Sequence, residues 1–191
     1  MLKKEYENIK SPQELLNLMS KINYGYLGKN GRIYHFDDED FNSSWEKNYI
    51  LESPEEILKT GFGNCWDQTE LERCWFENKG YEYKTLYEMV KLDYDTPYPT
   101  HSFLIYKDEN NNWNWFENSD YDNRGIHTFS TLEELIKYQL NNYKKLLKKY
   151  NITSIELEKI ILNEFSKPKV HSTSEEYLEH VINSPSMDFQ K

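Results

Sequence analysis

A glycine-rich turn that leads directly into a helix is the feature that most constrains this chain. Residues 61–64 (Gly-Phe-Gly-Asn) interrupt a short predicted helix, and a new helix is predicted over about residues 65–78, with Gly80 ending it. Apolar side chains lie on two sides of this helix, which indicates that it is buried between other elements. The chain must therefore supply layers that pack around it.

Three predicted strands follow the helix. Residues 83–92 alternate in polarity and are rich in aromatic and β-branched side chains. Residues 100–106 and 113–118 have the same character, and the polar segment 107–112 between them is typical of a hairpin turn. These strands supply a small antiparallel sheet on which the helix can pack.

Further helices are predicted on both sides of this segment. They begin at Ser11-Pro12 and Ser53-Pro54, run over about 130–150, and recur near 153–166 and 174–182. Residues 23–50 are expected to be irregular, because turn-forming residues and an acidic run dominate them. Helices, then antiparallel strands, then helices is an α+β order.

Composition narrows the functions open to this fold. Aromatic residues make up 16% of the 191 residues, which excludes disorder throughout the chain. A net charge of −10, from 23 basic and 33 acidic residues, disfavours a nucleic-acid partner. No apolar run approaches the roughly 20 residues of a membrane span, and the first residues lack the apolar stretch of a secretory signal. We therefore expect a cytoplasmic protein without a membrane partner.

The chain has only two cysteines, Cys65 and Cys74. That number is too low for a disulfide scaffold or a structural zinc site. Nine residues along a helix separate the two thiols by roughly 13 Å, which exceeds the roughly 7 Å that a disulfide can span. Both thiols are expected to be free. No His, Cys or carboxylate cluster has ligand spacing, so neither a metal nor another cofactor is expected.

Cys65 has the position of a nucleophile. The first turn of a helix presents unpaired N–H groups and a positive dipole, which favour a thiolate and stabilise an oxyanion. A nucleophilic thiol also needs a base. His101 begins a predicted strand and is the best candidate, and His127 is the alternative. Cys74 lies in the middle of the helix and is expected to be a core residue.

The hairpin predicts which acid would orient His101. If Lys107 faces Trp113, the numbers of paired residues sum to 220, and Glu117 lies diagonally opposite His101 on the same face. Asn118 and Asp120 would then point away. A shift of one residue would reverse this choice, so both remain alternatives to Glu117.

These residues carry a resemblance to a known family. The segments 63–67 (Gly-Asn-Cys-Trp-Asp), 100–103 (Thr-His-Ser-Phe) and 113–117 (Trp-Asn-Trp-Phe-Glu) resemble the transglutaminase-like superfamily of papain-like cysteine enzymes, in particular its compact microbial members. The resemblance implies an α+β fold with a central nucleophile-bearing helix on a small antiparallel sheet. It implies a domain over 1–150, with its core at about 53–130, and a helical extension over 151–191.

The same resemblance implies Cys65 as nucleophile, His101 as general base and Glu117 as orienting acid. The substrate would be a peptide, a protein or a small amide, and hydrolysis is favoured over transfer to an amine. Five residues are weaker candidates for substrate contact or for an oxyanion donor: Trp45, Trp66, Gln68, Arg124 and His127. An inactive descendant that binds peptides is the alternative function, because aromatic grooves bind peptides without catalysis.

Overall fold

The computed structural model describes residues 2–90, 99–152 and 159–187. The seven helices within these residues are α1 (Leu2–Glu7), α2 (Pro12–Met19), α3 (Phe41–Asn48), α4 (Pro54–Thr60), α5 (Cys65–Lys79), α6 (Leu132–Lys149) and α7 (Ser174–Ile182). The strands are β1 (Gly25–Leu27), β2 (Ile33–His35), β3 (Tyr83–Val90), β4 (His101–Lys107), β5 (Trp113–Glu117), β6 (Gly125–Phe129) and β7 (Ile160–Glu164). This content confirms the predicted α+β class.

Five of the strands form one antiparallel sheet. Their order across the sheet is β6-β5-β4-β3-β7, and β1 and β2 form a separate two-stranded sheet. In the β4–β5 hairpin Lys107 pairs with Trp113 and Leu104 with Phe116. The predicted register, with paired numbers that sum to 220, is therefore confirmed.

Helices cover both faces of the five-stranded sheet. One face packs against α2, α4 and α5 through residues that include Leu71, Trp75 and Leu104. The other face packs against α6 through residues that include Phe103 and Leu140. Side chains along β4 alternate between these two cores, because successive residues of a strand point to opposite faces.

Helix α5 begins at the predicted residue and is one residue longer than predicted. Asn64 caps its first turn, and Gly80 ends it in the left-handed conformation at φ 74°. The predicted burial is confirmed, since Trp66, Leu71 and Trp75 are all buried. Within the residues that the structure describes, no helix has both the length and the apolar character needed to cross a membrane.

Several elements differ from the prediction. Residues 160–164 form strand β7, so the helix predicted near 153–166 is wrong there, and 153–158 lie outside the described residues. Strand β7 pairs with β3 because its apolar run completes the edge of the sheet. Strand β6 was not predicted, and β1, β2 and α3 occupy part of 23–50, which was expected to be irregular.

Candidate active site

Cys65 is the first residue of α5 and is 6% exposed. The preceding turn is held by Asn23, whose N–H donates to the Gly61 carbonyl at 2.9 Å and whose carbonyl accepts from Gly63 N at 3.1 Å. The Asn64 side chain accepts hydrogen bonds from the N–H groups of Trp66 and Asp67, at 2.7 and 3.2 Å. The loop-to-helix junction therefore holds the thiol in one place.

Two buried carboxyl groups, those of Asp67 and Glu52, lie next to this junction. Asp67 accepts hydrogen bonds from Asn64 N at 3.0 Å, from Glu52 N at 2.9 Å and from the Tyr49 hydroxyl at 3.0 Å. Burial raises the pKa of Asp67 to about 7, although these donors oppose the rise. Burial, followed by the charge of Asp67, raises the pKa of Glu52 to about 8.

The free energy of unfolding is expected to fall as the pH rises from about 4.5 to about 8, because Glu52 must ionise within the fold. A group whose pKa is higher in the folded state binds its proton more tightly there, so its stabilisation is lost as that proton leaves. Replacing Glu52 with Gln should remove about 4 kcal/mol of this loss. Chemical denaturation of the wild-type and Glu52→Gln proteins at pH 4.5, 6 and 8 measures this difference in the free energy of unfolding.

Glu39→Gln is the matched control for this prediction, because Glu39 is exposed. Its unfolding free energy should follow the wild-type pH dependence. If the unfolding free energies of the wild type and Glu52→Gln changed with pH in parallel, the role assigned to Glu52 would be contradicted.

His101 pairs with a carboxylate close to Cys65. Its Nε2 lies 2.7 Å from Glu117 Oε2, and both residues are buried. The Cys65 thiol is near enough to influence the charge of the imidazole. Because Nε2 is occupied by Glu117, Nδ1 is the ring nitrogen left for a second partner. The predicted base and the predicted acid are therefore paired beside the predicted nucleophile.

The protonation state of His101 depends on Glu117 and Cys65. Burial disfavours the imidazolium, but the Glu117 carboxylate and the Cys65 thiol outweigh burial and raise the pKa of His101 well above its usual value. Burial likewise opposes ionisation of Glu117, yet His101 and two further donors hold the pKa of that carboxyl below its usual range. An ionised Glu117 can only accept, so Nε2 keeps its hydrogen and Nδ1 is the nitrogen that exchanges a proton with the thiol.

Glu117 is itself held in place by the turn that follows it. Its Oε1 accepts hydrogen bonds from the Ser119 hydroxyl at 3.1 Å and from Asp120 N at 2.8 Å. The two alternatives to Glu117 have other partners. The Asn118 amide donates to Met19 O and to the Gln68 side chain, and the Asp120 carboxylate accepts from residues of its own turn.

A second buried acid lies beside His101 but carries no charge at neutral pH. Glu88 pairs with His101 across β3 and β4, and Gln139 donates to its Oε1 at 2.6 Å. Burial raises the pKa of Glu88 to about 8, against the opposing effects of His101 and Gln139. Of these two acids, Glu117 is therefore the one that is ionised beside the imidazole at pH 7.

The other candidate residues have structural contacts. His127 Nε2 lies 2.7 Å from the Asn123 carbonyl, and its ring stacks on Trp115 rather than facing Cys65. Arg124 donates to the Asn118 carbonyl at 3.0 Å. The Gln68 amide donates to Gly63 O at 2.7 Å, which commits its N–H to the turn before Cys65.

Trp66 and Trp45 form part of an aromatic cluster around the nucleophile. Trp66 stacks on Tyr177 of α7, with ring centroids 4.1 Å apart, and meets the edge of Trp45 at 5.0 Å. Trp45 stacks in turn on Tyr49 at 4.1 Å. The carboxyl-terminal helix α7 thus packs against the start of α5.

A cleft of about 780 Å³ opens over Cys65 and His101. Phe36, Tyr121 and Tyr150 line it and are each more than half exposed. Its charged carboxyl groups belong to Asp37 and Asp120, and no Lys or Arg side chain of the described residues lines it. The cleft therefore combines apolar rings with negative charge.

Tyr24 contacts the nucleophile, and the sequence did not single it out. Its hydroxyl donates toward Cys65 Sγ at 3.8 Å, and it lines the cleft. No local motif marks it, because it precedes the short strand β1 and lies 41 residues before the cysteine. A search for tyrosines upstream of the thiol would have returned it among several others.

Comparison of the chain with protein-family models and with curated protein sequences finds no match in either set. Among residues 2–90, 99–152 and 159–187, no group of three or more His, Cys, Asp or Glu side chains is arranged to hold a metal ion. The geometry around Cys65 is therefore the feature of this protein that indicates a function.

Proposed function

We propose that the protein is a cysteine-dependent acyl-transfer enzyme of the transglutaminase-like kind, and that it hydrolyses a peptide or carboxamide bond. A single observation carries the proposal: the buried imidazole of His101 pairs with the Glu117 carboxylate at 2.7 Å and lines the same cleft as the Cys65 thiol. This is the nucleophile–base–acid arrangement that activates a thiol. Cys65 is the nucleophile, His101 the base and Glu117 the residue that orients the base.

The first half of the reaction forms a thioester. The Cys65 proton moves to His101 Nδ1, and the thiolate attacks the carbonyl carbon of the substrate, whose π electron pair moves to oxygen. Collapse of this intermediate breaks the C–N bond. The leaving nitrogen takes the proton from His101 and departs as ammonia or an amine.

The second half releases the acid. Water donates a proton to His101 as its oxygen attacks the thioester carbon. The C–S bond then breaks, and the protonated His101 is left paired with the Cys65 thiolate. Glu117 holds the imidazole in one orientation throughout, because its other oxygen is fixed by the turn at Ser119 and Asp120.

The cleft indicates the character of the substrate. Exposed rings at its rim favour apolar side chains beside the scissile bond, and burial of such groups is worth about 25 cal/mol per Å². The carboxylates of Asp37 and Asp120 would repel an acidic segment. We therefore propose neutral or basic polypeptide segments, rather than acidic ones, as substrates.

Selective alkylation tests the proposal without a known substrate. At pH 6.5 iodoacetamide is expected to modify Cys65 at least about 10-fold faster than Cys74, because an imidazolium partner favours the thiolate. Exposure alone predicts the reverse order, since Cys65 is buried and Cys74 is half-buried. Mass spectrometry of the labelled peptides gives both rates in one sample.

Two variants control this experiment. Cys74→Ala should leave the fast phase intact, and Cys65→Ser should remove it. Equal and slow labelling of both thiols in the wild-type protein would contradict the proposed enzyme and would favour a peptide-binding module.

A further inference from the structure

We infer that Tyr24 is a catalytic residue whose hydroxyl donates a hydrogen bond to the substrate oxygen that becomes negative when Cys65 attacks. This inference rests on the proposed acyl-transfer function and adds to it the side-chain half of an oxyanion hole. The Tyr24 hydroxyl lies 3.8 Å from Cys65 Sγ, close to where the oxygen of a substrate carbonyl would be placed by attack at its carbon.

The backbone of α5 supplies only one donor at this point. The N–H groups of Trp66 and Asp67 are both taken by the Asn64 side chain, and that of Gln68 bonds the Asn64 carbonyl at 2.9 Å. Among the described residues, no backbone carbonyl accepts a hydrogen bond from Cys65 N–H. An oxyanion hole is commonly built from two donors, so a side chain has to supply the second.

Tyr24 and Cys65 line the same cleft. The Tyr24 hydroxyl donates toward Sγ of the residue whose backbone N–H is the donor left without a backbone partner. A substrate oxygen placed between these two groups would accept from both. The sequence-based alternative Gln68 does not line the cleft, and its amide is held by Gly63 O and by the Asn118 side chain.

The position of Tyr24 is fixed before substrate binds. The adjacent Asn23 is paired through its backbone with Gly61 and Gly63, immediately before the nucleophile. The Tyr24 ring meets the edge of Phe36 at 5.8 Å and packs against Phe41 at 6.4 Å. A donor held in this way stabilises developing charge without a cost of reorganisation.

The hydroxyl also keeps its proton. Burial, followed by the neighbouring Cys65, raises the pKa of Tyr24 well above its usual value, so the group remains a donor at every pH at which the enzyme would work. In the resting site it donates toward the sulfur, and in the tetrahedral intermediate it donates to oxygen.

Two reagents separate this role from activation of the thiol. Attack of Cys65 on p-nitrophenyl acetate forms a C–S bond, moves the carbonyl π pair to oxygen, and then breaks the C–O bond to release p-nitrophenolate. Alkylation by iodoacetamide forms a C–S bond and expels iodide, with no oxyanion at any stage. A residue that acts on the oxyanion affects only the first reaction.

Tyr24→Phe is expected to slow the burst of p-nitrophenolate about 100-fold while the rate of Cys65 alkylation changes less than about threefold. Tyr138→Phe is the matched control, since it removes a hydroxyl on α6 outside the cleft. Alkylation in the same variant also reports that the site is folded.

Each other outcome is informative. An unchanged burst in Tyr24→Phe would overturn the inference and leave the proposed function standing. An equal loss of burst and alkylation would show that Tyr24 acts on the thiol, which also overturns it. A wild-type protein that gives no burst, although Cys65 is alkylated, would overturn the proposed function itself.

Discussion

Replacement of His101 by Ala is expected to lower the turnover of acyl substrates about 1,000-fold or more. The imidazole both accepts the Cys65 proton and returns one to the leaving nitrogen, so its loss affects both halves of the reaction. Ammonia release from glutamine-containing peptides and the steady-state release of p-nitrophenolate measure turnover. Loss of the imidazolium should also slow alkylation of Cys65 at pH 6.5 to the rate of Cys74.

His127→Ala is the matched variant for this prediction. His127 is the other histidine that the sequence proposes as a base, but its Nε2 bonds the Asn123 carbonyl and its ring stacks on Trp115. The variant is expected to retain most of the turnover. An inactive His127→Ala protein beside an active His101→Ala protein would contradict the assignment of the base. Thermal unfolding of both variants shows whether a loss of turnover reflects a loss of structure.

Replacement of Glu117 by Gln is expected to lower turnover about 100-fold. The amide keeps the size of the side chain but removes the negative charge 2.7 Å from His101 Nε2. The pKa of His101 is raised by that charge, so it should fall in the variant. The imidazolium is then lost at a lower pH, and the alkaline limb of the pH–rate profile should move to lower pH.

This shift of the profile distinguishes a positioning residue from a merely structural one. A variant that only loosened the fold would lose activity at every pH without moving the limb. Glu117→Asp keeps the charge on a shorter side chain. In this variant the alkaline limb should lie closer to its wild-type pH than in Glu117→Gln. An alkaline limb at the wild-type pH in Glu117→Gln would contradict the coupling between the two residues.

Both ends of the chain contribute to the proposed site. Tyr24 approaches the sulfur from the amino-terminal segment, and Tyr177 of α7 stacks on Trp66 beside it. Tyr177 also bonds Ser102 of β4 at 2.9 Å, one residue after His101. The start of α5 and the start of β4 are therefore joined by a carboxyl-terminal helix.

The parts of the site that could be predicted depend on local chemistry. Asn64 and Gly80 mark the ends of α5, because a capping side chain and a left-handed glycine act within one turn of the helix. The polar turn at 107–112 sets the hairpin register, and the register alone places Glu117 diagonally across from His101. Contacts between residues that are close in sequence can be recognised from caps, glycines and turns of this kind.

The parts that could not be predicted depend on distant pairing. The run Ile-Ile-Leu-Asn-Glu at 160–164 has no periodicity that separates a buried strand from a buried helix. It is a strand because it completes the sheet beside β3, 70 or more residues earlier in the chain. Strand β6 is short and only partly buried, so it too lacks an alternating pattern.

The sequence by itself determined the α+β class, the helix that begins at Cys65 and the hairpin that joins His101 to Glu117. Each of these depends on caps, turns and alternation, which act over a few residues. Only the tertiary structure decided that Tyr24 lies beside the sulfur and that Gln68 is bonded away from it. These contacts depend on how the amino-terminal segment packs against the turn before α5, and no local pattern of residues encodes that packing.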